Sequence, residues 1–123
     1  MRHVLLVDDD EFVLEVIRDM LEMAGYRVTA LHDSTEALKL IKKESFDLVL
    51  TDLRMPGANG LVIAKATNER EPHIPVILFS GWAAHYDDGE DLAGKGVDLL
   101  LAKPIAMEAL LKNVDGLLSD ETE

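Results

Sequence analysis

The sequence contains no cysteine, which removes disulfides, thiolate metal ligands and cysteine nucleophiles at once. No apolar run approaches the roughly 20 residues that a membrane-spanning helix needs. Met1-Arg2-His3 leads into only four apolar residues, Val4 to Val7, before Asp8, too few for the core of a signal peptide. Cations are scarce as well: 12 Lys and Arg against 24 Asp and Glu give a net charge of −12 at pH 7. Such a surface repels phosphate backbones and anionic lipid, so direct nucleic-acid or membrane binding is not expected of this chain alone. Linkers, internal repeats and low-complexity segments are missing too. These absences together predict a soluble, cytoplasmic protein.

What remains is an ordinary globular composition, with 48% apolar and 29% charged residues. Its 123 residues suffice for one domain at about 150 residues per domain. Short apolar runs alternate with longer amphipathic ones. Val4-Leu5-Leu6-Val7 is continuous and ends in three aspartates, the pattern of a strand buried on both faces. Val13, Val16, Ile17, Met20, Leu21 and Ala24 then trace a helical stripe that Gly25 closes. Tyr26 to Leu31 reads as a second strand. Asp33 followed by Glu36 marks the start of a helix carrying Ala37, Leu40 and Ile41.

Leu48-Val49-Leu50 forms a third strand running into Asp52, and Met55 to Gly60 is loop chemistry. A short helix through Leu61, Ile63, Ala64 and Thr67 precedes a fourth strand, Val76 to Phe79, ending at Ser80-Gly81. Trp82 to Gly96 holds four acidic residues and three glycines, so the helix expected there is weak and mobile. Leu99-Leu100-Leu101 is the fifth strand, closed by Lys103-Pro104. Met107, Leu110, Leu111, Val114, Leu117 and Leu118 give a last amphipathic helix, and the polar tail from Ser119 to Glu123 is expected to fray. Five strands alternating with five helices predict an α/β protein: three layers around a parallel five-stranded sheet.

In an open parallel sheet, ligands bind beyond the carboxyl ends of the strands. The residues there are Asp8, Asp9 and Asp10, then Asp52, Ser80 and Lys103. The first strand leads into no glycine-rich phosphate loop, and no lysine is followed by serine or threonine, which argues against dinucleotide and P-loop nucleotide binding. Two like charges about 4 Å apart at an effective dielectric near 20 repel by roughly 4 kcal/mol. Clustered carboxylates therefore raise their own pKa values or recruit a cation. An oxygen-only donor set favours a hard divalent ion, with Mg²⁺ the best fit. Taken singly, these residues have plainer readings. Asp52 could cap a turn, Ser80 could be turn chemistry, and Lys103 could simply reach solvent. Asp10 or Glu11 is expected to cap the first helix. His3, His32, His73 and His85 show no ligand spacing and read as surface residues, and the Met and Leu stripes as core.

Val7-Asp8-Asp9, Thr51-Asp52-Leu53-Arg54-Met55-Pro56-Gly57 with Gly60, Phe79-Ser80-Gly81 and Lys103-Pro104 together resemble the receiver domain of bacterial two-component response regulators. The resemblance covers essentially the whole chain, in order. It implies a flavodoxin-like (βα)5 fold with strand order 2-1-3-4-5, residues 1–123 forming one receiver domain without an output domain. It further implies that Asp52 accepts a phosphoryl group from a phosphohistidine on a sensor histidine kinase or phosphotransfer protein. Asp9 would ligate Mg²⁺ directly and Asp8 mainly through water, with Asp52 and the backbone carbonyl of Arg54 completing the protein ligands. Lys103 would pair with Asp52 and then with the phosphoryl oxygens, Ser80 would hydrogen-bond them, and the Lys103-Pro104 bond would be cis.

On this resemblance the chain is a regulatory switch, not an enzyme in its own right, acting on a downstream effector; a phosphorylation-dependent dimer is one form the output could take. A phosphorylation-independent docking module and a haloacid-dehalogenase-like phosphatase are the alternatives. The phosphatase family places a second aspartate two residues after the first, where this sequence has Arg54. Leu100 stands where the receiver family usually carries an aromatic switch residue, which puts an aromatic relay in doubt. Ser80 replaces the commoner threonine. Arg54 and Trp82, on the rim, are expected to hinder water attack on the acyl phosphate and lengthen its lifetime.

Overall fold

In the computed structural model, residues 2–69, 73–81, 94 and 96–119 are described. Five parallel strands, β1 (His3–Val7), β2 (Arg27–Leu31), β3 (Leu48–Asp52), β4 (Val76–Ser80) and β5 (Leu99–Ala102), form one sheet in the order β2-β1-β3-β4-β5. Four helices pack on it among the described residues: α1 (Glu11–Met23), α2 (Ser34–Lys43), α3 (Gly60–Asn68) and α4 (Met107–Ser119). The helix expected between the fourth and fifth strands lies outside the described residues, as do Trp82, His85 and the tail from 120. Among the described residues no helix is long and apolar enough to cross a membrane.

The sheet separates two apolar layers because strand side chains alternate between faces. Leu5, Val7, Val49 and Leu78 meet Ala37, Ile41 and Ile63 of α2 and α3. Val4, Leu6, Leu50, Ile77 and Phe79 meet Leu14, Ile17 and Leu21 of α1 and Leu110, Val114 and Leu118 of α4. β3 and β4 are buried along their whole length, whereas edge strands β2 and β5 are mostly half-buried. That is why the central strands read as unbroken apolar runs.

Helix starts follow the sequence closely. The Asp10 carboxylate accepts from the backbone of Phe12 and Val13 at 3.0 and 3.3 Å, and Asp33 accepts from Thr35 N–H at 2.8 Å, satisfying donors that lack a partner within the helix. Gly25, at φ +95°, follows the end of α1, a backbone region costly for other residues.

Three details differ from the sequence reading. β2 starts at Arg27, because Tyr26 N–H still donates to Leu21 O at the end of α1, at 3.1 Å, while its phenol meets the Asp115 carboxylate on α4. Met107 is exposed, so the buried stripe of α4 begins at Leu110. His3 is not a surface residue but half-buried, its ring 4.7 Å from that of Phe46 and its Nε2 2.7 Å from Thr29 Oγ1. As the first residue of β1, between β2 and β3, its side chain is flanked on both sides. His32 and His73 are exposed.

Candidate functional site

Strand register assembles the site. Val7 pairs with Thr51, Asp52 with Phe79, and Ser80 with Ala102. The next residues along, Asp8, Asp52, Ser80 and Lys103, therefore converge at one edge of the sheet. Asp8 stays tied to the sheet through its N–H, which donates to Leu31 O at 3.1 Å, and Lys103 N–H donates to Ser80 O at 3.0 Å. The peptide bond between Lys103 and Pro104 is cis.

Asp8 is 0% exposed and Asp52 only 6%. The Lys103 ammonium lies between them, 3.1 Å from Asp8 Oδ2 and 3.3 Å from Asp52 Oδ1. Asp8 Oδ1 accepts from Asp10 N–H at 2.9 Å. Burial pushes the Asp8 carboxyl above its ordinary pKa, against the Asp10 N–H and the ammonium. Burial also raises Asp52, reinforced by the Asp8 charge and opposed by Lys103. Burial pulls Lys103 down, but the two carboxylates outweigh it and hold its pKa above the usual lysine value.

One ammonium does not balance this cluster. Carboxylate oxygens of Asp8, Asp9 and Asp52 lie within 4.8 Å of one another, with Asp9 exposed at the mouth. Asp8 Oδ2 is fully buried, and the partner the structure gives it is the Lys103 ammonium at 3.1 Å. An oxygen-only, net-negative donor set, two of its three carboxylates buried, fits a hard divalent cation.

The loop after Asp52 is held from two sides. Asn59 caps α3, accepting from Leu61 and Val62 N–H, and Gly60 N–H donates to Leu53 O at 2.9 Å. From α2, the buried Ser34 hydroxyl donates to Pro56 O and accepts from Ala58 N–H, both at 3.1 Å. Gly57 between them has φ +78°. Arg54 is exposed on this loop, whereas Ser80 at the end of β4 is 1% exposed. Beside the site, Phe12, Val13, Val16, Pro104 and Ile105 with Lys103 line an apolar groove of about 330 Å³.

Asp8, Asp9, Asp52 and Lys103 thus meet at this edge, with Ser80 at the end of the neighbouring strand; Arg54, of which only the backbone carbonyl was expected at the site, follows Asp52 on the loop with its side chain exposed. Two participants were not anticipated. Ser34 gave no signal beyond following a helix cap, and Phe79, whose ring lies under the Lys103 ammonium, read as a strand residue and as the neighbour of Ser80 in a motif, with no role of its own.

The topology and this edge define a doubly wound α/β protein with an acidic, cation-fitting cleft at the carboxyl ends of its strands. The response regulator receiver domain family matches residues 4–115, and the chain belongs to that family. Over 121 residues it is 30% identical to the polar-differentiation response regulator DivK of Brucella ovis, covering 97% of this chain and 98% of DivK. It is 36% identical over 119 residues to the 3′,5′-cyclic-nucleotide phosphodiesterase regA of Dictyostelium discoideum, covering 94% of this chain but 15% of that much longer protein. Among solved structures, it resembles the receiver domain of a sensor histidine kinase from Pseudomonas aeruginosa, which has a magnesium ion coordinated in its active-site cleft. That similarity has a TM-score of 0.85 at 28% identity over 96% of this chain and 98% of the other.

Proposed function

We propose that this receiver is a phosphorylation-controlled switch in which Asp52 takes a phosphoryl group from a phosphohistidine on a sensor kinase or phosphotransfer protein. The observation that carries this reading is the Lys103 ammonium, 3.3 Å from Asp52 Oδ1 and 3.1 Å from Asp8 Oδ2, in a chain of this family. An Asp52 oxygen forms the new bond to phosphorus. The bond from phosphorus to the donor imidazole nitrogen breaks, and its electron pair leaves with the imidazole. The product is an acyl phosphate.

Lys103 exchanges its contact with the Asp52 carboxylate for one with the phosphoryl oxygens, and the Ser80 hydroxyl donates to the same group. Asp8, Asp9 and Asp52, with the Arg54 carbonyl, would hold Mg²⁺, which supplies positive charge at the phosphoryl oxygens when bound. The apolar groove flanking Lys103 gives a protein donor a surface to rest on while its imidazole reaches the cleft. On this reading the chain works in the cytoplasm as a regulatory element, passing its signal to an effector through surfaces that phosphorylation alters. With Leu100 half-buried on β5, that signal uses a route other than an aromatic switch on this strand.

Intact-protein mass after incubation with acetyl phosphate tests the reading. A gain of one phosphoryl group that needs Mg²⁺, is lost to hydroxylamine and is absent from Asp52→Asn supports it. A gain that persists in Asp52→Asn overturns it.

A further inference from the structure

The Lys103 ammonium has a third neighbour besides its two carboxylates. Its Nζ lies 5.1 Å from the centroid of the Phe79 ring, within the roughly 6 Å over which a cation is attracted to an aromatic face. Phe79 is fully buried on the α1/α4 side of the sheet, packed in one cluster with Leu50, Ile77 and Leu110, so its ring is fixed. Its backbone is fixed as well: Phe79 pairs with Asp52 in the ladder, and its carbonyl accepts from Leu53 N–H at 3.0 Å. One residue therefore touches both sides of the reacting pair, the acceptor strand through its main chain and the ammonium through its ring.

The three contacts of Lys103 differ in what happens to them. If Asp52 is the acceptor, phosphorylation spends its carboxylate, and a cation in the cleft claims Asp8. The ring face is the contact that neither event removes. A lysine has a long flexible stem and three rotatable donors, so a fixed partner decides where its charge is found when the other two change.

We propose that Phe79 is a positioning residue, whose ring face holds the Lys103 ammonium beside Asp52 as the carboxylate contacts change. This rests on Asp52 being the phosphoryl acceptor. A leucine of similar bulk would fill the same core space but offer no negative face to a cation.

Placing 4-fluoro-, 3,5-difluoro- and 3,4,5-trifluorophenylalanine at position 79 drains the ring face stepwise while keeping its shape. The initial rate of phosphorylation by acetyl phosphate with Mg²⁺ should fall with each fluorine, reaching about three- to tenfold at three, at an unchanged melting temperature. A core role alone would leave the rate flat across the series, and a flat rate overturns the proposal. A second readout needs no phosphoryl chemistry: the Lys103 ε-methylene protons should be shifted upfield by the ring in the unmodified protein and return to ordinary values in Phe79→Leu. Their resonating at ordinary positions in the native chain overturns the placement itself. If the native chain takes up no phosphoryl group, the acceptor reading falls and the positioning role falls with it.

Discussion

Gly60 lies against the main chain of Asp52 so closely that a Cβ at position 60 would sit 2.5 Å from the Asp52 carbonyl oxygen and 2.6 Å from Leu78 Cδ2. The first residue of α3 is thereby locked to the last residue of β3. The loop between them is drawn tight against the carboxylate at the centre of the cleft.

Gly60→Ala should therefore cost about 1–3 kcal/mol, the usual penalty for forcing a methyl group into packed structure. It should also slow phosphorylation, because the nearest obstruction is backbone and relief must displace Asp52. Thermal melting and initial phosphorylation rates measure both. A variant as stable and as fast as the native chain would contradict the close approach.

Ser34→Ala probes the other anchor of that loop. It removes one donor to Pro56 O and one acceptor for Ala58 N–H, for an expected loss of about 1 kcal/mol. Amide exchange should quicken at Ala58 and stay slow in the sheet.

The cleft is arranged at the expense of stability. Asp8 and Asp52 both have raised pKa values in the fold, so their ionisation opposes folding. The penalty is fully present above the raised values and fades as pH falls through them towards the unfolded value. Asp52→Asn removes part of the like-charge repulsion but also one partner of Lys103, leaving an expected net gain of about 1 kcal/mol at pH 7 without metal. Denaturant melts should show that gain shrinking at pH 4.

A divalent cation should relieve the same repulsion. Mg²⁺ at about 100 times its Kd would add about 2.7 kcal/mol to unfolding free energy, and Asp9→Ala should abolish most of that increment. Melting temperatures across a Mg²⁺ titration of both proteins measure it.

At the opposite end of β1, burial, then the Arg27 charge, lowers the His3 pKa below 6.5, against Glu44, Asp47 and the Ser45 backbone. The unfolded chain thus takes up the proton first. This contribution to stability is present above about pH 6.5 and is lost as pH falls through 6.5 towards the folded value. His3→Gln should remove that share of the loss between pH 7.5 and 5.5, read from paired denaturant melts.

Much of this site is legible in sequence because a parallel sheet delivers every strand's carboxyl end to one edge. Asp8, Asp52, Ser80 and Lys103 each follow an apolar run, so finding the runs locates the cluster. The Asp10 and Asp33 caps are equally local, readable from the residues beside them. Ser34, Phe79 and His3 are different. Ser34 meets Pro56 only because α2 packs beside the loop after β3. Phe79 meets Lys103 only because β4 and β5 are neighbours in a particular register. His3 is covered by Phe46 and Thr29 from two other segments. Such contacts follow from tertiary placement, which no periodicity encodes. The rim role expected of Trp82 falls outside the described residues.

The central claim is that Asp52, and not its neighbours Asp8 or Asp9, carries the phosphoryl group. Borohydride reduction of the phosphorylated protein converts the modified aspartate to homoserine, and peptide sequencing by mass spectrometry locates it. Homoserine is expected at position 52 alone, formed only after treatment with phosphodonor and Mg²⁺. Homoserine at position 8 or 9, with Asp52 intact, would contradict it.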